Sequence, residues 1–130
     1  MKKSHGPRAI VLFGHGARDP EWARPLCRVL ERMKAQAPED LIACGYLEYL
    51  MPTLEDCVAG LIAQGAREIV VLPMFIAQGG HLKRELPEMV ARLERAYPDV
   101  LFQLESAVGE SALVIEAMAT HAASFISSRR

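Results

Sequence analysis

Apolar residues along the chain alternate between two kinds of run, short β-branched stretches and longer stretches with helical spacing. Residues 8–13 (Arg-Ala-Ile-Val-Leu-Phe) end abruptly at Gly14-His15-Gly16, the pattern of a buried strand entering a loop. Trp22, Leu26, Val29, Leu30 and Met33 then recur as the inner stripe of a first helix, with Pro38 as its stop. A second strand is expected over 41–47. Pro52-Thr53 opens a second helix with Leu54, Val58, Leu61 and Ile62 facing inward. Thr53 followed by Asp56 resembles an N-terminal capping box, and Gly65 suits the C-terminal cap. Residues 68–74 form the third strand, whose pairing should finish near Pro73 because proline has no N–H to donate. After a loop over 75–81, the stripe Leu82, Leu86, Met89, Val90 and Leu93 predicts a third helix. A fourth strand over 100–104 and a last helix over 111–126 complete the pattern.

Strands alternating with helices predict an α/β fold, a doubly wound four-stranded parallel sheet with helices on both faces, because each right-handed crossover lays its helix on the sheet. At 130 residues the chain fits one domain, 1–130. In such sheets ligands bind beyond the carboxyl ends of the strands, where neighbouring strands send their chains to opposite faces. For the strand order 2-1-3-4 that point lies between the first and third strands.

Composition narrows the function. Apolar residues are 51% and charged residues 24% of the chain, and the formal net charge is -1. A packed core is expected, and nothing favours nucleic acid or an anionic membrane surface. The longest apolar run, 69–77, is far below the roughly 20 residues of a membrane-spanning helix. Met1-Lys2-Lys3 looks like the start of a leader, but the apolar stretch 9–13 is too short to continue one, so a cytoplasmic location is expected. Cys27, Cys44 and Cys57 lack CxxC spacing and sit in apolar patterns, which predicts reduced, buried thiols.

The chemistry-bearing residues gather at the expected switch point. The loop after the first strand carries His15, the loop after the third carries His81, and the end of the neighbouring second strand carries Glu48. Each histidine is bracketed by glycines, Gly14 and Gly16 at one and Gly79 and Gly80 at the other, which allow close approach of a large ligand. A single loop histidine is commonly just bonded to backbone. Two delivered by independent loops to one edge point to a shared site. Glu48 lies in the apolar segment 46–50, where a buried carboxylate would be costly, although strand alternation can instead turn it to solvent. Arg18, Lys83 and Arg84 flank the histidine loops as candidate contacts for an anionic ligand or as solvated charges. His5 and His121 are read as structural or solvent-facing.

Three blocks, 12–19 (Leu-Phe-Gly-His-Gly-Ala-Arg-Asp), 46–48 (Tyr-Leu-Glu) and 72–87 (Leu-Pro-Met-Phe-Ile-Ala-Gln-Gly-Gly-His-Leu-Lys-Arg-Glu-Leu-Pro), resemble the short class II chelatases of the sirohydrochlorin cobaltochelatase family. The resemblance runs from about Ile10 to the last helix, and its most specific part is Gly-Gly-His followed by basic residues and Leu-Pro. It implies a chelatase fold and insertion of a divalent metal, Co²⁺ first and Fe²⁺ or Ni²⁺ next, into a tetrapyrrole. It also implies metal ligands at His15 and His81 and a glutamate near the substrate at Glu48. The metal is then a substrate, with no tightly bound cofactor. Ala17 departs from the serine usual after the first His-Gly, and nearby Asp19 is a candidate substitute. Larger chelatases hold two such halves around one cleft, so a homodimer is expected.

Two other readings use the same histidines. A non-catalytic metal carrier or tetrapyrrole-binding module would also suit weak imidazole sites. Histidine phosphatases likewise place His-Gly after the first strand, but the arginine they carry before it is replaced here by Gly14.

Overall fold

The computed structural model describes residues 6–127. The N-terminal stretch read above for a leader, with His5, lies outside them. β1 (Arg8–Gly14) runs through the middle of a parallel sheet. β2 (Leu41–Tyr46) pairs on one side and β3 (Glu68–Pro73) on the other, with β4 (Leu101–Leu104) beyond β3. The order β2-β1-β3-β4 is the expected one. Gly14 is level with Tyr46, and Phe13 with Pro73, so three strands finish together at one edge. The ladder runs one residue past the proline, because the Met74 N–H donates to the Phe13 carbonyl at 2.8 Å.

Side-chain alternation divides the core in two. Ala9, Val11 and Phe13 of β1 and Ile69 and Val71 of β3 pack against α2 (Leu54–Ala63) and α3 (Gly80–Ala96). On the opposite face Leu12, Ile42, Cys44 and Tyr46 meet α1 (Arg24–Gln36) through Leu26, Leu30 and Met33. The Thr53 hydroxyl accepts the Asp56 N–H at 3.1 Å and caps α2, while Gly65 ends it at φ +106°, a backbone region that disfavours a side chain. The expected stripe of α3 is buried at every position.

The first helix differs from expectation. Pro20–Ala23 is a separate 3-10 turn, and α1 begins only at Arg24. Trp22 in that turn is 76% exposed, and Val29 also faces solvent. Cys27, expected inside, is exposed as well, because it sits one residue off the inner line through Leu26, Leu30 and Met33. Cys44 and Cys57 are buried as expected. Burial pushes the Cys57 thiol up to about 12, with the neighbouring Cys44 adding to the rise. α4 (Ala112–Ser127) forms where expected, but its side chains lie almost entirely open, so helical cover on the α1 face comes from α1. Among the described residues no helix is long and apolar enough to cross a membrane.

Candidate functional site

The site forms where the carboxyl ends of β1, β2 and β3 meet. The chain leaving β2 stays tied to the chain leaving β1: the Leu47 N–H donates to the Gly14 carbonyl at 3.0 Å and the Glu48 N–H to the His15 carbonyl at 3.3 Å. This lattice places the Glu48 carboxylate 3.9 Å from His15 Nδ1, too long for a hydrogen bond but close enough for attraction if the imidazole is charged. Gly16 makes the approach possible. Its φ is +88°, and a Cβ there would sit 1.8 Å from the Glu48 carbonyl oxygen. The Gly16 carbonyl lies 3.3 Å from His15 Nδ1 and, being an acceptor, favours the proton on that nitrogen.

His81 stands in the first turn of α3, not in the preceding loop, because the helix begins at Gly80. Helical spacing therefore brings Glu85 beneath it, with Oε1 3.0 Å from His81 Nε2. Glu85 was passed over in the sequence. Its signal was the i, i+4 spacing, which carries meaning only once residue 81 is known to be helical.

His15 and His81 line one cavity of about 230 Å³, together with Leu47, Phe75, Gln78 and Leu82. The Phe75 ring packs edge-on between His15 and the core ring of Phe13, with centroids 6.5 and 6.0 Å away. On its other side His15 borders a second cavity of about 410 Å³, walled by Trp22, Tyr46, Leu50, Met74 and Ile76. One imidazole thus separates two apolar hollows, a geometry suited to a broad flat ligand with polar work at its centre. Among the described residues no three His, Cys, Asp or Glu side chains cluster closely enough to form a complete metal cage. The donors stand instead as two pairs, His15 with Glu48 and His81 with Glu85.

The remaining candidates are placed less uniformly. Glu48 is half-exposed, so its expected burial cost does not arise. Arg18 stacks its guanidinium over the Tyr49 ring at 5.2 Å, while Lys83 and Arg84 project from the start of α3 into solvent. Asp19 accepts the Glu21 N–H at 3.0 Å and caps the 3-10 turn, so its carboxylate is already engaged rather than replacing the hydroxyl missing at Ala17. A Cβ built on Gly79 or Gly80 would touch nothing within 4 Å. The protein's own packing therefore does not require glycine there. His121 packs edge-on against Phe125 on α4, remote in sequence from the crevice.

The chain is similar to proteins of a known family and fold. Residues 9–124 match the family model described as CbiX. The sirohydrochlorin cobaltochelatase of Methanococcus aeolicus is 35% identical over 86 residues, covering 66% of this chain and 60% of that protein. That of Methanocaldococcus jannaschii is also 35% identical over 86 residues with the same coverage. The chain thus matches about 60% of the length of these relatives. The crystal structure of a CbiX protein from Marinobacter aquaeolei VT8 aligns with a TM-score of 0.82 at 27% identity, covering 94% of this chain and 99% of that one. SirB from Bacillus subtilis with Fe³⁺ aligns with a TM-score of 0.76 at 27% identity, covering 92% of this chain but 47% of SirB. With a family model matched over nearly its whole length and that fold shared, the chain belongs to the CbiX family.

Proposed function

We propose that this protein inserts a divalent metal ion into sirohydrochlorin or a closely related tetrapyrrole, with Co²⁺ the first candidate ion and Fe²⁺ or Ni²⁺ next. The observation that carries the proposal is the shared cavity of His15 and His81, two imidazoles delivered by independent segments of chain. The names of the relatives support the substrate: sirohydrochlorin cobaltochelatases on one side, and a sirohydrochlorin chelatase SirB in complex with cobalt on the other.

Insertion replaces two pyrrole N–H protons by one M²⁺, so the site must hold the ion weakly and accept protons. Neutral imidazole does both, with an unperturbed pKa of about 6.5 and moderate affinity for first-row divalent ions. The Gly16 carbonyl keeps the proton on His15 Nδ1 and leaves Nε2 its lone pair. Glu85 does the same for His81 from the other nitrogen, accepting Nε2–H and freeing Nδ1. Glu48 sets a carboxylate 3.9 Å from His15 Nδ1, beside the place where the substrate's pyrrole protons must be handed on. Gly79 and Gly80 leave room for the macrocycle, and Lys83, Arg84 and Arg18 at the mouth meet its rim carboxylates. Because SirB is about twice as long as the part this chain matches, two copies of the chain form the working unit.

The test is His81→Ala, with sirohydrochlorin and Co²⁺ mixed with substoichiometric protein and followed by visible absorption. The parent protein is expected to convert many equivalents. The variant should convert none beyond the uncatalysed rate while keeping its circular dichroism spectrum and melting temperature, since His81 is 85% exposed and holds no core contact. Full turnover by the variant would remove His81 from the mechanism, and a single stoichiometric shift by the parent would mark a carrier.

A further inference from the structure

Arg18 stands just beyond the His15 loop with its charge uncommitted. The carboxylates nearest to it in sequence are engaged elsewhere, Asp19 as acceptor of the Glu21 N–H at 3.0 Å and Glu21 in an ion pair with Arg24 at 3.1 Å. Among the described residues Arg18 itself forms no ion pair. What holds it is an aromatic face, because its guanidinium carbon lies 5.2 Å from the centroid of the Tyr49 ring. A guanidinium over a ring spends its face on stacking and keeps the N–H donors along its edge for an anion.

Tyr49 sits where the backbone resists a side chain. Among the described residues it is the sole one other than glycine with a positive φ, +69°. The Leu50 N–H donates to the Glu48 carbonyl at 2.8 Å, so Tyr49 is the middle residue of a γ-turn of the strained, positive-φ form. Glycine would adopt this turn freely, and asparagine with little cost. Nor does the core ask for the ring, since Tyr49 is 58% exposed and belongs to neither core cluster. A bulky residue kept against such resistance points to work done by its side chain.

The two partners are placed relative to each other by backbone alone. The Leu47 and Glu48 N–H groups donate to the Gly14 and His15 carbonyls, and Gly16 packs on the Glu48 carbonyl with no room for a Cβ. The segments carrying Arg18 and Tyr49 thus leave one hydrogen-bonded junction, beside His15.

We propose that Tyr49 is a positioning residue, whose ring, presented by the γ-turn, holds the Arg18 guanidinium at the rim of the crevice ready for a carboxylate of the tetrapyrrole. A free arginine side chain loses rotamer freedom when it grips an anion, and stacking removes much of that loss in advance. Lys83 and Arg84 have no aromatic partner among the described residues, so Arg18 is the preorganised member of the three. This deepens the tetrapyrrole reading above and rests on it for the ligand.

The experiment compares Tyr49→Phe, Tyr49→Ala and Tyr49→Gly with the parent, in Co²⁺ insertion into sirohydrochlorin and in titration with metal-free sirohydrochlorin followed by visible absorption. Tyr49→Phe keeps a ring face and should match the parent. The alanine and glycine variants should each raise KM and the dissociation constant about two- to fivefold while kcat holds. In an Arg18→Met background the same two substitutions should change neither constant further. Thermal melts separate the turn from the ring: Tyr49→Gly should melt above Tyr49→Ala, the reverse of their usual order, because glycine relieves the positive φ. A KM that instead follows the melting temperature, near the parent's for glycine and raised for alanine, would overturn the assignment. So would an unchanged KM in both variants, or an equal rise without Arg18, and in each case parent turnover would leave the proposed function standing. A parent that neither binds nor metallates sirohydrochlorin would sink that function and the role of Tyr49 with it.

Discussion

Gly16→Ala should damage the fold and the site together, whereas Gly80→Ala should spare the fold. At Gly16 the backbone is at φ +88°, where an alanine costs about 1 to 2 kcal/mol. Its Cβ would start 1.8 Å from the Glu48 carbonyl oxygen and must retreat to 3.4 Å or more for ordinary contact. That retreat strains two hydrogen bonds of the same peptide region, Glu48 N–H to the His15 carbonyl at 3.3 Å and Leu50 N–H to the Glu48 carbonyl at 2.8 Å. At about 1 kcal/mol each they bring the expected loss to about 3 kcal/mol. For a chain of 130 residues this lowers the melting temperature by about 10 °C. Gly80 is the first residue of α3 with open space around it, so alanine should stabilise the protein by about 0.4 to 1 kcal/mol. If glycine at 80 serves the ligand, that variant is more stable and yet slower in metal insertion. Thermal melts by circular dichroism beside the absorption assay read both quantities. A Gly16→Ala protein melting within about 2 °C of the parent would refute the reasoning, since the clash would then have relaxed at almost no cost.

Further outcomes follow from the thiols, the cap and the charged rim. Cys27 is exposed while Cys44 and Cys57 are buried with raised pKa values, so one equivalent of an aromatic disulfide reagent should react fast with native protein at pH 8 and the other two only on unfolding. The same burial keeps Cys57 and Tyr46 protonated to about 12 in the fold. Protonated groups held above their unfolded pKa lend stability that is fully present below that value and lost as pH rises through 9 to 12, so urea midpoints measured from pH 8 to 11 should fall with alkali. Thr53→Ala removes the acceptor of the Asp56 N–H and should cost about 1 kcal/mol in the urea midpoint. If Lys83 and Arg84 meet substrate carboxylates, the KM for the tetrapyrrole should rise with ionic strength while kcat holds, a split that salt-insensitive binding would contradict.

The topology was legible because each buried strand is a short β-branched run and each connection is long enough for one helix. Handedness then fixes the face each crossover helix covers, and the order 2-1-3-4 places residues 15, 48 and 81 at one edge. Local punctuation was harder to read. Pro20 and Pro25 bracket the 3-10 turn, and Pro25 in the opening turn of α1 marks a helix that starts later than the apolar spacing from Trp22 suggests. His81 read as a loop residue because Gly80 is a poor helix former, yet α3 begins there, and Glu85 was missed with it. The isolation of α4 left no local trace at all, since an apolar helix has the same sequence whether its partner surface lies in its own chain or in another.

The two carboxylate–histidine pairs differ in a way that bears on the direction of the metal transfer proposed above. His81 and Glu85 ride on one rigid helix at 3.0 Å, so that imidazole is held before any ligand arrives. His15 and Glu48 face each other at 3.9 Å across hydrogen-bonded loops, a looser pair that can tighten when charge develops between them. Under that proposal, preorganised donors favour capture of an ion from water, and the looser pair, free to adjust, suits the later step at the ring nitrogens. Without a third donor from the described residues, neither stage gives the protein a hold on the ion that could rival four ring nitrogens. Adding a ligand should therefore slow release rather than speed capture. Gln78→His, on the wall of the cavity that both imidazoles line, is expected to raise Co²⁺ affinity in isothermal titration while lowering kcat for insertion, and a rise in both would contradict a site tuned to let its metal go.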